Sequence, residues 1–102
     1  MQEKERKVQE IQILEQNLQN LLLQKQAFQM ELAETIAAKR EIENAGDDVF
    51  KIIGQLMIKS EKSKIKEELS NKERLLDLRV KSIEKQEMVF AEKIETLRKE
   101  FF

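Results

Sequence analysis

Charged side chains are the only chemically reactive groups that this sequence holds in quantity. Its 102 residues include 20 Asp and Glu and 19 Lys and Arg, but no His, Cys, Tyr, Trp or Pro. A nucleophilic Cys, a Ser-His pair and the usual zinc ligands are therefore excluded. No GxxxxGK[ST] loop or GxGxxG turn is present to hold a nucleotide. Pairs of carboxylates occur by chance in such a chain, so we predict no enzyme activity, no catalytic or metal site and no cofactor.

The balance of charge limits the partners of the protein. The net charge is -1, and the basic residues alternate with acidic ones instead of forming the patch that phosphate groups require. Apolar runs such as 21–23 are far shorter than the roughly 20 residues that cross a bilayer. The opening MQEKERKVQE lacks the apolar segment of a signal peptide. We predict a cytoplasmic protein that binds neither nucleic acid nor membranes, and the absence of Cys fits a reducing compartment.

Two seven-residue repeats predict the two helices that carry these charged side chains. In the first half the repeat falls on Ile11, Leu14, Leu18, Leu21, Lys25, Phe28, Leu32, Thr35, Lys39 and Ile42. In the second half it falls on Leu69, Glu73, Leu76, Val80, Ile83, Glu87, Phe90, Ile94, Leu97 and Phe101. Spacings of three and four residues are typical of a coiled-coil seam. We predict one mainly α-helical domain over 1–102, with helix 1 at 1–45, a linker at 46–48, a β-hairpin at 49–59 and helix 2 at 60–102.

Equal helices on either side of a short connection favour an antiparallel coiled coil. The register that we estimate centres the bend on Ile52 and Ile53 and puts Ile11 near Ile94. We expect Gly46 to end helix 1 in the left-handed conformation. Polar residues also occupy the seam, namely Lys25, Thr35, Lys39, Glu73 and Glu87. One hypothesis is that they fix the register, and the alternative is that the lysines extend their amines into water.

The segment VFKIIGQLMIK, within residues 49–59, reads as two strands joined at Gly54-Gln55 by a type II′ turn. With Ile53 opposite Leu56, neither face of this hairpin is polar. An isolated two-stranded ribbon is marginal in water, and its free edges invite pairing with another chain. We therefore predict an assembly hairpin that joins an oligomeric β-barrel. Its residues are Val49, Phe50, Ile52, Ile53, Gly54, Leu56, Met57 and Ile58. The alternative of one continuous helix conflicts with the two glycines.

The same segment resembles the β subunits of archaeal-type prefoldin and the related eukaryotic prefoldin subunit six. The resemblance extends to the sequence around it, DDVFKIIGQLMIKSEKSKIKEEL, and to the sequence after it, ELSNKERLLDLRVKSIEKQE. The resemblance covers nearly the whole chain. It implies a heterohexamer of two α and four β subunits, whose hairpins build paired β-barrels from which six coiled coils project. It also implies that unfolded polypeptides bind at the coiled-coil tips without ATP and are delivered to a group II chaperonin.

The apolar residues near both ends of the chain are the candidate client-binding tips. They are Val8, Ile11, Ile13, Leu14, Ile94, Leu97, Phe101 and Phe102. Exposed apolar groups can hold hydrophobic segments of an unfolded chain. For Val8, Ile11, Leu14, Ile94 and Leu97 the alternative is that they only hold the two helices together. The competing function is a structural or adaptor coiled coil that binds one folded partner.

Overall fold

A computed structural model describes residues 2–102 and confirms the mainly helical fold. Helix α1 spans Gln2–Asn44, strands β1 and β2 span Val49–Ile53 and Leu56–Ser60, and helix α2 spans Lys62–Phe101. The hairpin thus ends one residue later than predicted, and the continuous-helix alternative is wrong. Both glycines lie in the connection, which leaves two segments rich in Leu, Glu, Gln and Lys that favour helix. No helix within residues 2–102 is long and apolar enough to span a membrane.

Two compact units divide the described chain. The bend unit is Gln29–Leu78, and the terminal unit consists of the described residues up to Phe28 together with Arg79–Phe102. Whether the whole chain acts as one domain stays a prediction. Every predicted seam position in the two repeats is buried or half-buried, so the coiled-coil pattern is confirmed. The seam is thin, because none of the described large side chains is fully enclosed.

The hairpin has the predicted register. Ile53 lies opposite Leu56, Ile52 opposite Met57 and Lys51 opposite Ile58 in an antiparallel pair. Gly54 has a φ of 60°, whereas no described residue other than glycine has a positive φ, so the Gly54-Gln55 turn has the type II′ pattern. Glycine adopts this conformation at little cost, which explains why the turn forms here.

The end of α1 differs from the prediction that Gly46 closes it. Of the two glycines only Gly54 has a positive φ. Instead, the Ala45 amide donates to the Ile42 carbonyl at 3.3 Å, and the Lys62 ammonium donates to the Ala45 carbonyl at 2.7 Å. The last turn of α1 has no basic residue of its own, so a lysine from α2 supplies the positive charge that a helix C-terminus favours. Sequence reasoning missed this contact because it joins residues from two elements.

An ion pair lies close to this helix end. The Lys66 ammonium lies 2.8 Å from a Glu43 carboxylate oxygen, and this hydrogen bond, together with the attraction of the lysine charge, holds the pKa of Glu43 below its usual value. The pair connects the last turn of α1 to α2 in the bend unit. Because both side chains are exposed, its contribution to stability is small.

The estimated helix register is correct at Ile11, which packs in one cluster with Ile94 and Leu97. It is wrong at Lys25, which should face Val80 but forms an ion pair with Glu87 at 3.0 Å. The turn lies at Gly54 and Gln55, two residues after the centre that the estimate assumed. A later bend moves the residue opposite each position of α1 toward higher numbers in α2.

Candidate functional site

The tip of the terminal unit is built around a small apolar cluster. Ile11, Ile94 and Leu97 are buried in it, and Leu14, Leu18 and Phe101 pack against it while partly exposed. These positions follow the seam repeat, so the helical period brings them to one side of each helix. The cluster closes the tip and leaves the remaining apolar residues of the tip at its surface.

The predicted tip residues therefore fall into three groups. Burial of Ile11, Ile94 and Leu97 favours the alternative that they hold the helices together. Val8, Leu14 and Phe101 are half-buried. Ile13 is 62% exposed and Phe102 is 66% exposed, which makes these two the most available of the eight residues for contact with another molecule. The client-binding role of all eight residues stays a prediction.

A groove of about 750 Å³ opens beside this cluster, and we call it the tip groove. Its lining residues are Val8, Ile11, Gln12, Arg98, Lys99 and Phe102. An apolar floor with a charged rim is suited to apolar segments whose ends remain in water. The rim charges are balanced: Arg98 forms an ion pair with Glu15, and Lys99 lies 3.2 Å from Glu95. The basic residues of the last turn of α2 also complement its helix dipole.

Two lysines at the start of α1 face the phenylalanines at the end of α2. The Lys4 ammonium lies 5.2 Å from the centre of the Phe102 ring, and the Lys7 ammonium lies 5.6 Å from that of Phe101. Both distances are within the range of cation–π attraction. These lysines were missed by sequence reasoning. Lys4 and Lys7 are about one helical turn apart, at the end of α1 that an antiparallel arrangement brings to the phenylalanine pair. This spacing is the sequence signal from which the contacts could have been predicted.

The charged seam residues meet as partners across the two helices. Lys25 donates to Glu87 at 3.0 Å in the terminal unit, and Lys39 donates to Glu73 at 2.6 Å in the bend unit. Their positions were predicted but their pairing was not. The two lysines are separated by the same number of residues as the two glutamates, so one antiparallel register satisfies both pairs. This pairing favours the hypothesis that the polar seam residues specify the register.

The fifth polar seam residue is satisfied within its own helix. Thr35 is buried, and its hydroxyl donates to the Glu31 carbonyl at 2.8 Å. A hydroxyl bonded to the preceding turn can be buried without a partner from the other helix. Thr35 therefore keeps its polar group satisfied at a buried seam position.

The assembly hairpin presents apolar side chains on both faces. Val49 alone of its apolar residues is buried. The exposed ones are Phe50, Ile52, Ile53, Leu56, Met57 and Ile58, with exposed fractions between 44% and 70%. Apolar surface of this extent is rare on a monomer and is typical of surfaces that contact another molecule. The assembly role of these residues stays a prediction.

The described residues hold no cluster of carboxylates that could bind a metal ion. Their two distinctive surfaces are the hairpin and the tip. Both surfaces expose apolar side chains, so what the geometry offers is binding through apolar contact.

Comparison with known proteins identifies the family. The family model described as prefoldin subunit matches residues 5–101. The chain is 39% identical over 85 residues to the prefoldin subunit beta of Thermococcus onnurineus, a match covering 81% of this chain and 73% of the relative. It is 34% identical over 87 residues to that of Saccharolobus islandicus, covering 83% and 69%. The crystal structure of the prefoldin beta subunit from Thermococcus strain KS-1 matches with a TM-score of 0.89 at 34% identity, covering 97% of this chain and 89% of that one. The chain therefore belongs to the prefoldin family of chaperone subunits.

Proposed function

We propose that this chain is a subunit of an ATP-independent holdase, a chaperone that binds unfolded polypeptides at the tips of its coiled coils and delivers them to a group II chaperonin. The observation that carries the proposal is the exposed apolar surface of the tip, where Phe102 borders the tip groove beside Val8. Family membership and the similarity to prefoldin beta subunits support it.

Assembly is the first part of the proposal. The hairpin joins the hairpins of α-type subunits and of further copies of this chain, in a heterohexamer of two α and four β subunits. The unpaired edges of β1 and β2 supply backbone hydrogen bonds, and burial of residues such as Ile52 supplies the apolar contribution. Fully burying a side chain of this size stabilises an interface by about 1.5–3 kcal/mol.

Client binding is the second part. Apolar contact contributes about 25 cal/mol for each Å² removed from water, so one tip groove binds an unfolded segment weakly. Several tips that engage one client raise the effective concentration of each next contact, which gives avidity without a tight single site. Because each contact breaks quickly, the client can pass to a chaperonin without ATP.

The test is suppression of aggregation by the assembled protein, using several chemically denatured proteins of unrelated sequence and no ATP. We expect Phe102→Ser and Ile13→Ser each to weaken suppression severalfold while the native mass of the assembly stays unchanged. Leu78→Ser is the matched control, because Leu78 is 64% exposed but belongs to the bend unit. Equal suppression by all three variants would remove the tip from the client site. A wild-type assembly that delays no aggregation would favour the adaptor function instead.

A further inference from the structure

We propose that the tip groove is the outer end of a longer groove along one side of the terminal unit, the flank groove, which selects apolar client segments with a basic residue at their inner end. This inference rests on the proposed function and specifies the client chemistry that the site recognises. It assigns Glu84 as the residue that determines this specificity.

Three neighbouring depressions share residues and form the flank groove. The tip groove shares Arg98 and Lys99 with a second depression of about 330 Å³. The second shares Leu18 and Ala91 with a third depression of about 560 Å³. The third lies furthest from the tip and includes Leu22, so the three depressions follow one another from the tip to the middle of the terminal unit.

The dimensions of this surface fit an extended peptide. Val8 and Leu22 mark its two ends along α1, and at about 1.5 Å per residue they are about 21 Å apart. An extended chain advances about 3.3 Å per residue, so the groove matches a segment of about six residues. Apolar side chains continue along its inner half, where Leu22 is 44% and Met88 63% exposed. Each such contact removes apolar surface of both molecules from water.

Charge distinguishes the inner end from the rest. The rim residues of the middle part, Arg98 and Lys99, are each neutralised by a glutamate. At the inner end, Glu84 forms no ion pair with any residue in 2–102. Glu87 is already paired with Lys25 through Oε2, and its Oε1 is buried out of reach of a client side chain. The inner end therefore carries one carboxylate, that of Glu84, without a basic partner among the described residues, and a Lys or Arg side chain of the client would pair with it.

The experiment measures peptide binding to the assembled protein by fluorescence anisotropy. Three labelled peptides share one run of six apolar residues and differ only in the two residues at one end, which are Lys, Gln or Glu. We expect the Lys peptide to bind about threefold to fivefold more tightly than the Gln peptide, as for a contact between partly exposed charges. The Glu peptide should bind most weakly, and 0.5 M salt should reduce the differences because it screens exposed charges.

Variants assign the preference to the inner end. Glu84→Lys should reverse the order of the Lys and Glu peptides. Glu92→Lys is the matched control, because Glu92 lines a separate groove with Leu14 and Val89 that shares no residue with the flank groove. The inference is overturned if all three peptides bind equally, or if Glu84→Lys and Glu92→Lys shift the order alike. If the peptides fail to bind but aggregation is still suppressed, the flank groove alone is excluded. If both fail, the holdase function is excluded as well.

Discussion

The hairpin and the tip both expose apolar side chains, but their lysines lie differently. In the hairpin, the Lys51 ammonium lies 2.9 Å from Glu68, an acidic residue of α2, and leaves the apolar faces uncovered. At the tip, the Lys4 ammonium lies over the Phe102 ring. One lysine thus turns away from the apolar surface of its region, and the other covers part of it.

This difference separates two kinds of binding surface. A bare apolar face with free strand edges gains most from a partner chain that covers it permanently. An apolar ring with an ammonium above it keeps hydrated charge nearby. A surface of this kind remains soluble when no partner is bound, and it can exchange one partner for another. The comparison supports the proposal that the hairpin serves stable assembly and the tip reversible contact.

The largest effect is expected from a charge in the hairpin. Ile52 is 70% exposed and lies opposite Met57 across the strand pair. If partner chains bury this face, Ile52→Asp places a carboxylate in an apolar interface, at a cost of several kcal/mol in each copy. We expect the assembly to dissociate, which native mass spectrometry would detect as loss of the oligomer.

Leu78→Asp is the control for this experiment, since Leu78 is similarly exposed but lies in α2 outside the hairpin. Circular dichroism should show that the chains remain helical. An unchanged native mass for Ile52→Asp would mean that the hairpin is not the assembly surface, and the contrast with the tip would then be lost.

A second prediction concerns the seam that supports the tip. The side chains of Lys25 and Glu87 are 18% and 22% exposed, so Lys25→Met leaves a half-buried carboxylate without its partner. We expect a loss of about 1–2 kcal/mol, less than for a fully buried pair. Amide hydrogen exchange in the terminal unit of the assembled protein should accelerate about fivefold to thirtyfold.

The control is Lys85→Met, because Lys85 is an exposed lysine of α2 outside the seam. Exchange there should change little, as for most surface substitutions. If Lys25→Met and Lys85→Met exchange at the same rate, the ion pair does not stabilise the seam. The tip would then owe its shape to the apolar cluster alone.

Much of this arrangement could be predicted because it follows from local periods. The seam repeat identifies buried residues such as Leu76 and Ile83 directly, since a helix returns to the same side every seven residues. The hairpin register follows from Gly54, which permits the tight turn. In both cases the structural feature is determined by residues that are close to one another along the chain, so the sequence pattern is enough to predict it.

The unpredicted features join residues that are distant along the chain. The Lys4 contact with Phe102 depends on where two helix ends meet, and the Lys62 contact with Ala45 on where α2 begins. An error of two residues in the centre of the bend is enough to assign such partners wrongly. Composition shows that charges are present, but only the register determines which side chain each charge meets.

The smallest predicted effect comes from uncovering the ring at the tip. Lys4→Gln removes the ammonium above Phe102, an interaction of about 0.5–1 kcal/mol at an exposed site. A bound client competes with this ammonium for the ring, so its removal should slow client release by about twofold to fivefold. Lys4→Arg is the control and should release clients at the wild-type rate, because guanidinium also binds aromatic rings. Stopped-flow dissociation of a labelled client measures the rate. Faster release from Lys4→Gln would show that the ammonium holds the Phe102 ring in its binding position and does not shield the ring from the client. The tip would then be a preformed site and not a site that the lysine covers.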